Sequence, residues 1–293
     1  VNGTEISGNK FKPGEPGDYT VYATYKALTS STKTFSASAQ PVKNFKTNVL
    51  IEDFTGAWCG YCTRVAYKLQ ELKKKTSQIV VVAAHYGDAL QYSKISEMTN
   101  AFGVSSYPHA RLNRTAKWNE SESAVTSLYA NSSKVGVLIE SSIDGRTLTL
   151  KVKAKFSETY TDLKLGVFLL ENDLLLDQAN YGDFGYGSDN PIVNFEHDDV
   201  LRVALTSPLG DNISSESTKV GSVFEKSFTY EKPNSYDKDK MDIVAFITDK
   251  DKMSLNARHS EIGKTQEFEA ESSDEEDEPR KSDKLFYLSL IHI

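Results

Sequence analysis

Cys59 and Cys62 are the only cysteines in 293 residues, and two residues separate them. The thiolate is the reactive form of cysteine, and a free thiol titrates near ~8.5. In such a pair one thiolate attacks a disulfide. The second, about one helical turn further on, attacks the mixed disulfide and releases the partner. Structural zinc is an alternative, but it needs four ligands. There is no second CxxC, so His85 and His109 would have to complete the set. A purely structural disulfide is the remaining alternative. The redox-competent reading is favoured, because neither cysteine has a second partner to staple.

The flanking residues decide where the pair sits. The run NVLIEDF, ending at Thr55, has strand length, and Gly56-Ala57-Trp58 turns the chain. After Cys62, Val65, Leu69 and Leu72 fall at i, i+4 and i+7, which is one helical face. The spacing predicts a strand-to-helix junction with Cys59 at or near the first helical turn. Unpaired N–H groups and the helix dipole there favour a thiolate.

DFTGAWCGYC resembles the active-site segment of the thioredoxin family, with Trp58 directly before the first cysteine. Asp53, six residues earlier, matches the buried aspartate of that family. Tyr107-Pro108 in AFGVSSYPHARLN matches its cis-proline turn. The resemblance implies Cys59 as attacking thiol, Cys62 as resolving thiol and Asp53 as the carboxylate that moves the Cys62 proton. It also implies Trp58, Gly60, Tyr61, Tyr107, Pro108 and His109 as contacts for a bound peptide. The Gly60-Tyr61 dipeptide matches periplasmic disulfide isomerases, whereas Thr63 departs from the Pro or Lys usual after the second cysteine. IVVVAA, the stretch with Ile95, Met98 and Phe102, and NESESAVTSLYANS complete a β-α-β-α-β-α order over 41–133. His85, at the end of IVVVAAH, is a loop residue or a tuner of the chemistry.

The rest of the chain reads differently. Residues 1–40 show strand alternation around Tyr19, Val21, Ala23 and Tyr25, with turns at Pro13-Gly14 and Pro16-Gly17. They are read as a partial immunoglobulin-like β module whose beginning is missing. From Lys134 the pattern is period two, clearest from Leu148 to Phe156. Further strands are expected at Leu163 to Leu170, Val220 to Tyr230 and Asp242 to Thr248. This is an antiparallel β-sandwich over 134–265. A long irregular stretch, 171–208, interrupts it. Its Asp183, Asp189, Asn190, Glu196, Asp198 and Asp199 raise a calcium site, but caps and polar loops explain them more cheaply. Its Tyr and Phe side chains could form a docking surface for the neighbouring domain. Residues 266–293 read as an acidic disordered or foreign tail, ending in LFYLSLIHI.

Net charge is -7, and residues 267–284 hold nine acidic against three basic side chains. The remainder is near neutral, without a basic aromatic patch, so nucleic acid is not the expected partner. No apolar run approaches the ~20 residues of a membrane span. NVLIEDFTGAWCGYC, FEHDDVLRVAL with LGDNIS, and DIVAFITDKDKMSLNARHSEIG together resemble the outer membrane protein 28-related family. These are exported lipoproteins with a thioredoxin-like domain followed by a β-sandwich. That resemblance implies an extracytoplasmic place, periplasm or cell surface, with a lipid anchor before the present N-terminus. Two functions compete: a thiol–disulfide oxidoreductase acting on exported proteins, and a surface binding or adhesion lipoprotein with an inert thioredoxin-like scaffold. No cofactor is expected. The enzyme reading needs exported protein thiols or disulfides as substrates and a redox partner to reset the pair.

Overall fold

The computed structural model describes residues 1, 2, 4, 17–37 and 43–270. The N-terminal residues belong to one unit and Val42–Glu271 form another. The first holds nested hairpins. Strand β1 (Gly17–Val21) pairs antiparallel with β4 (Lys33–Ala37), and between them β2 (Thr24–Tyr25) pairs with β3 (Leu28–Thr29). The second sheet that an immunoglobulin-like module requires is not among the described residues.

The second unit begins with β5 (Val49–Thr55), α1 (Cys62–Lys75), β6 (Ile79–His85), α2 (Ile95–Phe102), β7 (His109–Leu112), β8 (Ala116–Lys117) and α3 (Glu122–Tyr129). Strand β5 pairs parallel with β6 on one side and antiparallel with β7 on the other. Helix α1 buries the expected Val65, Leu69 and Leu72 and carries Lys73, Lys74 and Lys75 in its last turn, where cations suit the dipole. Helix α2 buries Ile95, Met98 and Phe102 and stops at Gly103, whose positive φ of 63° suits glycine.

The remaining strands are β9 (Val135–Asp144), β10 (Thr147–Phe156), β11 (Lys164–Glu171), β12 (Leu174–Gln178), β13 (Ile192–His197), β14 (Val200–Ala204), β15 (Asp211–Asn212), β16 (Val223–Glu231), β17 (Met241–Thr248) and β18 (Ser254–Glu261). Strands β16-β10-β9 make one sheet and β12-β13 a hairpin. The others join the first group in a single nine-stranded sheet, ordered β18-β17-β11-β14-β6-β5-β7-β8, with β15 beside β11. The joint is narrow: Val200 lies opposite Ala83, and Ala83 N–H donates to Asp199 O at 2.8 Å.

The division expected at 133/134 therefore runs through one compact unit. Strands β9 and β10 share an apolar layer with β11 and β17, but the sheet that holds β11 and β17 continues the β5–β6 sheet. The stretch expected to be irregular contains β12, β13 and β14. Residues 266–270, expected to begin a loose tail, fold back. Phe45 bridges Ala270, Lys46 N–H donates to Glu269 O at 2.8 Å, and the Phe268 ring lies 5.8 Å from that of Phe45. The rest of that tail, with LFYLSLIHI, lies outside the described residues.

Strand periodicity follows this layering. Strand β10 alternates, with Leu148, Leu150, Val152, Ala154 and Phe156 buried, because one of its faces is more open to solvent. Strands β5, β6 and β17 are buried at every residue, because both of their faces are covered. On one face of the nine-stranded sheet, Leu50, Phe54, Val82, Phe168 and Phe246 pack with Ile95, Met98 and Phe102 of α2. On the other face, Val49, Ile51 and Val81 meet α1 and α3, while Val167, Leu169 and Ile243 meet β9 and β10. Each fully buried Leu or Phe contributes about 1.5–3 kcal/mol. Such a sheet holds the end of β5 rigid.

Candidate active site

Cys59 and Cys62 form a disulfide between the end of β5 and the start of α1, with Cα atoms 5.4 Å apart. Cys59 lies just before the first helical turn, and its carbonyl accepts the Cys62 N–H at 3.0 Å. The first turn of α1 carries no acidic residue. The positive field of the helix N-terminus is therefore left for the sulfur pair. Cys59 is 5% exposed and Cys62 1%.

Alternation along β5 decides what lies beneath. Val49, Ile51 and Asp53 point toward α1, while Leu50, Glu52 and Phe54 point toward α2. Asp53 is thereby buried on the Cys62 side, and its Oδ1 has no hydrogen-bond partner among the described residues. Burial, reinforced by the negative charge of Glu120, pushes its carboxyl up to about 7. Asp53 and Cys62 line a cavity of about 80 Å³ shared with His85, Gln178, His197 and Asp199.

The far wall of that cavity includes His85, read from the sequence as a loop residue or a tuner of the chemistry, and His197, which the sequence did not mark. His85 is buried, and its Nδ1 lies 2.7 Å from Asp88 Oδ2. The same oxygen accepts Ala57 N–H at 2.7 Å, and Asp88 Oδ1 accepts Leu90 N–H at 2.8 Å. Burial raises the Asp88 pKa, but the bonds from His85, Ala57 and Leu90 prevail and hold it below the usual carboxylate range. The His197 ring meets His85 edge-on at 5.0 Å. Burial and the neighbouring His85 lower the His197 pKa to about 4. Asp199 pairs with Lys73 at 2.5 Å, yet its burial still raises its pKa.

Two flanks border the disulfide. Tyr107-Pro108 is a cis peptide and leads into β7. Trp58 is exposed, its indole N–H donates to Tyr86 O at 2.7 Å, and its ring meets Tyr107 edge-on at 5.4 Å. Tyr86 stacks on Tyr107 at 5.7 Å. His109, expected as a peptide contact, is instead buried and edge-on to Phe54 at 5.9 Å. Its register opposite Phe54 turns it toward α2. Burial and the positive Lys117 and Arg111 lower its pKa.

The other flank is covered by a strap, residues 178–190, joining β12 to β13. Ala179 N–H donates to Ala57 O at 2.8 Å and Tyr181 N–H to Gly60 O at 2.9 Å. The Gln178 amide donates to Cys59 O at 3.0 Å and Gly56 O at 3.5 Å. Thr63, the departure from the thioredoxin pattern, is buried and donates to Asn180 Oδ1 at 3.1 Å. Tyr61 meets Tyr181 edge-on at 5.4 Å, and Phe184 lies 6.4 Å away. The aromatic side chains of this stretch do dock on the cysteine turn, as one expectation had it. Of the residues raised for calcium, the oxygens of Glu196 and Asp198 gather within 4.8 Å of one another with those of Asp173. Asp183, Asn190 and Asp199 are engaged elsewhere, with Gly185, Asn180 and Lys73.

The thioredoxin family model matches residues 27–131. HBP35 of Porphyromonas gingivalis is similar in structure, with a TM-score of 0.61 at 17% identity over 79% of this chain and 80% of that one. A domain of the outer membrane lipoprotein Omp28 from the same organism aligns with a TM-score of 0.31 at 19% identity, over 46% of this chain and 92% of that one. No curated protein matches. The family model described as "Outer membrane protein Omp28" matches residues 95–266, more than half of the sequence, and the chain belongs to that family.

Proposed function

We propose that the protein is an extracytoplasmic thiol–disulfide oxidoreductase acting on exported proteins. The observation that carries this reading is the cysteine pair at the start of α1 above a buried, unpartnered carboxyl pushed up to about 7. In the reduced enzyme the Cys59 thiolate attacks a substrate disulfide. A Cys59–substrate bond forms, and the second substrate sulfur leaves as a thiolate. Cys62 gives its proton to Asp53 and attacks Cys59 Sγ. The mixed disulfide breaks, the first substrate sulfur leaves, and the Cys59–Cys62 disulfide closes. Two electrons have passed to the substrate, and a partner dithiol must return them. Trp58, Gly60, Tyr61, Tyr107 and Pro108 are read as the peptide contacts, by likeness to thioredoxins.

Family membership supports a place at the outer membrane. Among the described residues no helix is long and apolar enough to cross a membrane. The immunoglobulin-like reading of residues 1–40 belongs with this proposal as a spacer.

The test is reduction of insulin disulfides with dithiothreitol as electron source. Cys59→Ser is expected to fall to the uncatalysed rate, and full activity in that variant contradicts the mechanism. A second reading is a surface binding or adhesion lipoprotein with an inert thioredoxin-like scaffold. It is favoured by the low exposure of Cys59 and the covered turn.

A further inference from the structure

Four carbonyls of the redox turn, those of Gly56, Ala57, Cys59 and Gly60, accept hydrogen bonds from the strap. The strap is itself closed on Asn180, whose N–H donates to Asn190 Oδ1 at 3.0 Å and whose amide donates to Gly187 O at 2.9 Å and Asp189 O at 3.2 Å. The Tyr181 ring lies directly on Gly60, and a Cβ at position 60 would fall inside it. Glycine at this position is therefore required by the strap, whatever else it does for the cysteines.

The topology separates this cover from the opposite flank. The strap leads through β13 into β14, on the β6 side of β5, whereas Tyr107-Pro108 enters β7 on the other side. Around Tyr107, against which both rings pack, Trp58 is 47% and Tyr86 41% exposed. That side offers aromatic faces, whereas on the strap side four carbonyls of the turn are already bonded.

The geometry points to Gln178 and Tyr181 as access-determining residues: they close one approach to Cys59 and admit disulfides only along the Trp58, Tyr86 and Tyr107 side. This rests on the proposed exchange reaction and names its substrate class. A disulfide entering from one side must sit on a narrow, extended peptide segment. The open aromatic faces favour apolar or aromatic side chains beside its cysteine. Disulfides set in a flat folded surface are excluded, because the strap stands in their way.

The test separates access from enzymatic turnover. The Cys59–Cys62 disulfide is reduced by a small trialkylphosphine and by a bulky sulfonated triarylphosphine, each in excess. This is done in the full chain and in Tyr181→Ala and Gln178→Ala. Tyr181 is largely exposed, so its truncation leaves the core intact. Both variants are expected to raise the rate with the bulky reagent at least fivefold and the rate with the small one by much less. Equal ratios in all three proteins overturn the proposal. In parallel, the unaltered protein is offered a flexible peptide disulfide. No turnover together with a variant-dependent size ratio sinks the exchange reaction and leaves the access role standing. Turnover with constant ratios does the reverse.

Discussion

Glu52 and Asp53 are neighbours on β5, both buried, and they face opposite sides of the sheet. Toward α2, Glu52 meets Arg114 in a pair whose side chains are 0% exposed. Arg114 donates to Glu52 at 2.6 Å and to Pro208 O at 3.0 Å, and its guanidinium lies 4.3 Å from the Phe246 ring centre. Toward α1, Asp53 has no cation, and its Oδ1 has no partner among the described residues. The difference is one of partner rather than of depth. A buried carboxylate held by a guanidinium is a clamp, here tying β5 to the segments around Pro208 and Phe246. A buried carboxyl without a partner is a proton store, because desolvation keeps it neutral until the pH is well above the ordinary carboxylate range.

The largest effect belongs to the clamp. Arg114→Met strands the Glu52 charge and is expected to cost about 3–5 kcal/mol in urea unfolding. The reduction potential of the cysteine pair should stay in place. If the potential moves while stability does not, the two faces have been assigned the wrong way round.

Asp53→Asn comes next, with the opposite sign. The Asp53 pKa is raised from 3.8 to about 7 on folding, so between those values the folded state holds a proton that the unfolded chain has lost. Stability therefore falls as pH rises through this window. Relative to the parent, the oxidised Asn variant is expected to be similar near pH 3 and more stable at pH 8, by on the order of 4 kcal/mol. Release of substrate by Cys62 should slow at the same time. A stability difference independent of pH contradicts the proton-store role. The smallest effect is Thr63→Val, which removes the hydroxyl held by Asn180. A loss of about 1 kcal/mol is expected, read as a lowered midpoint, and no change at all would mean that Thr63 does not hold the strap.

The active turn was legible in the sequence because local patterns alone form it. A run of strand length, apolar except for Glu52, Asp53 and Thr55, makes β5, one helical face makes α1, and the resemblance to thioredoxins singled out Asp53. The joining of the two halves was not legible. Strands β13 and β14 are short, and Asn194 and Asp199 adopt positive φ of 52° and 56°, which breaks the alternation that marks a strand. Strand β18 hides for another reason: its buried Asn256 is polar. The Asn256 side chain accepts Asn48 N–H at 2.8 Å and donates to Val135 O at 2.7 Å. Its value lies in long-range hydrogen bonds that no sequence period records. His109 packs against Phe54, an orientation that closeness to Pro108 along the chain does not reveal. Register with Phe54 turns it inward.

The most direct test of the central claim, that Cys59 and Cys62 are a working exchange pair, is their reduction potential, measured by equilibration in glutathione buffers followed by alkylation. The proposed oxidoreductase requires a value between about -120 and -270 mV, within the range of catalytic pairs. A value well below about -300 mV would mark a structural disulfide and contradict it.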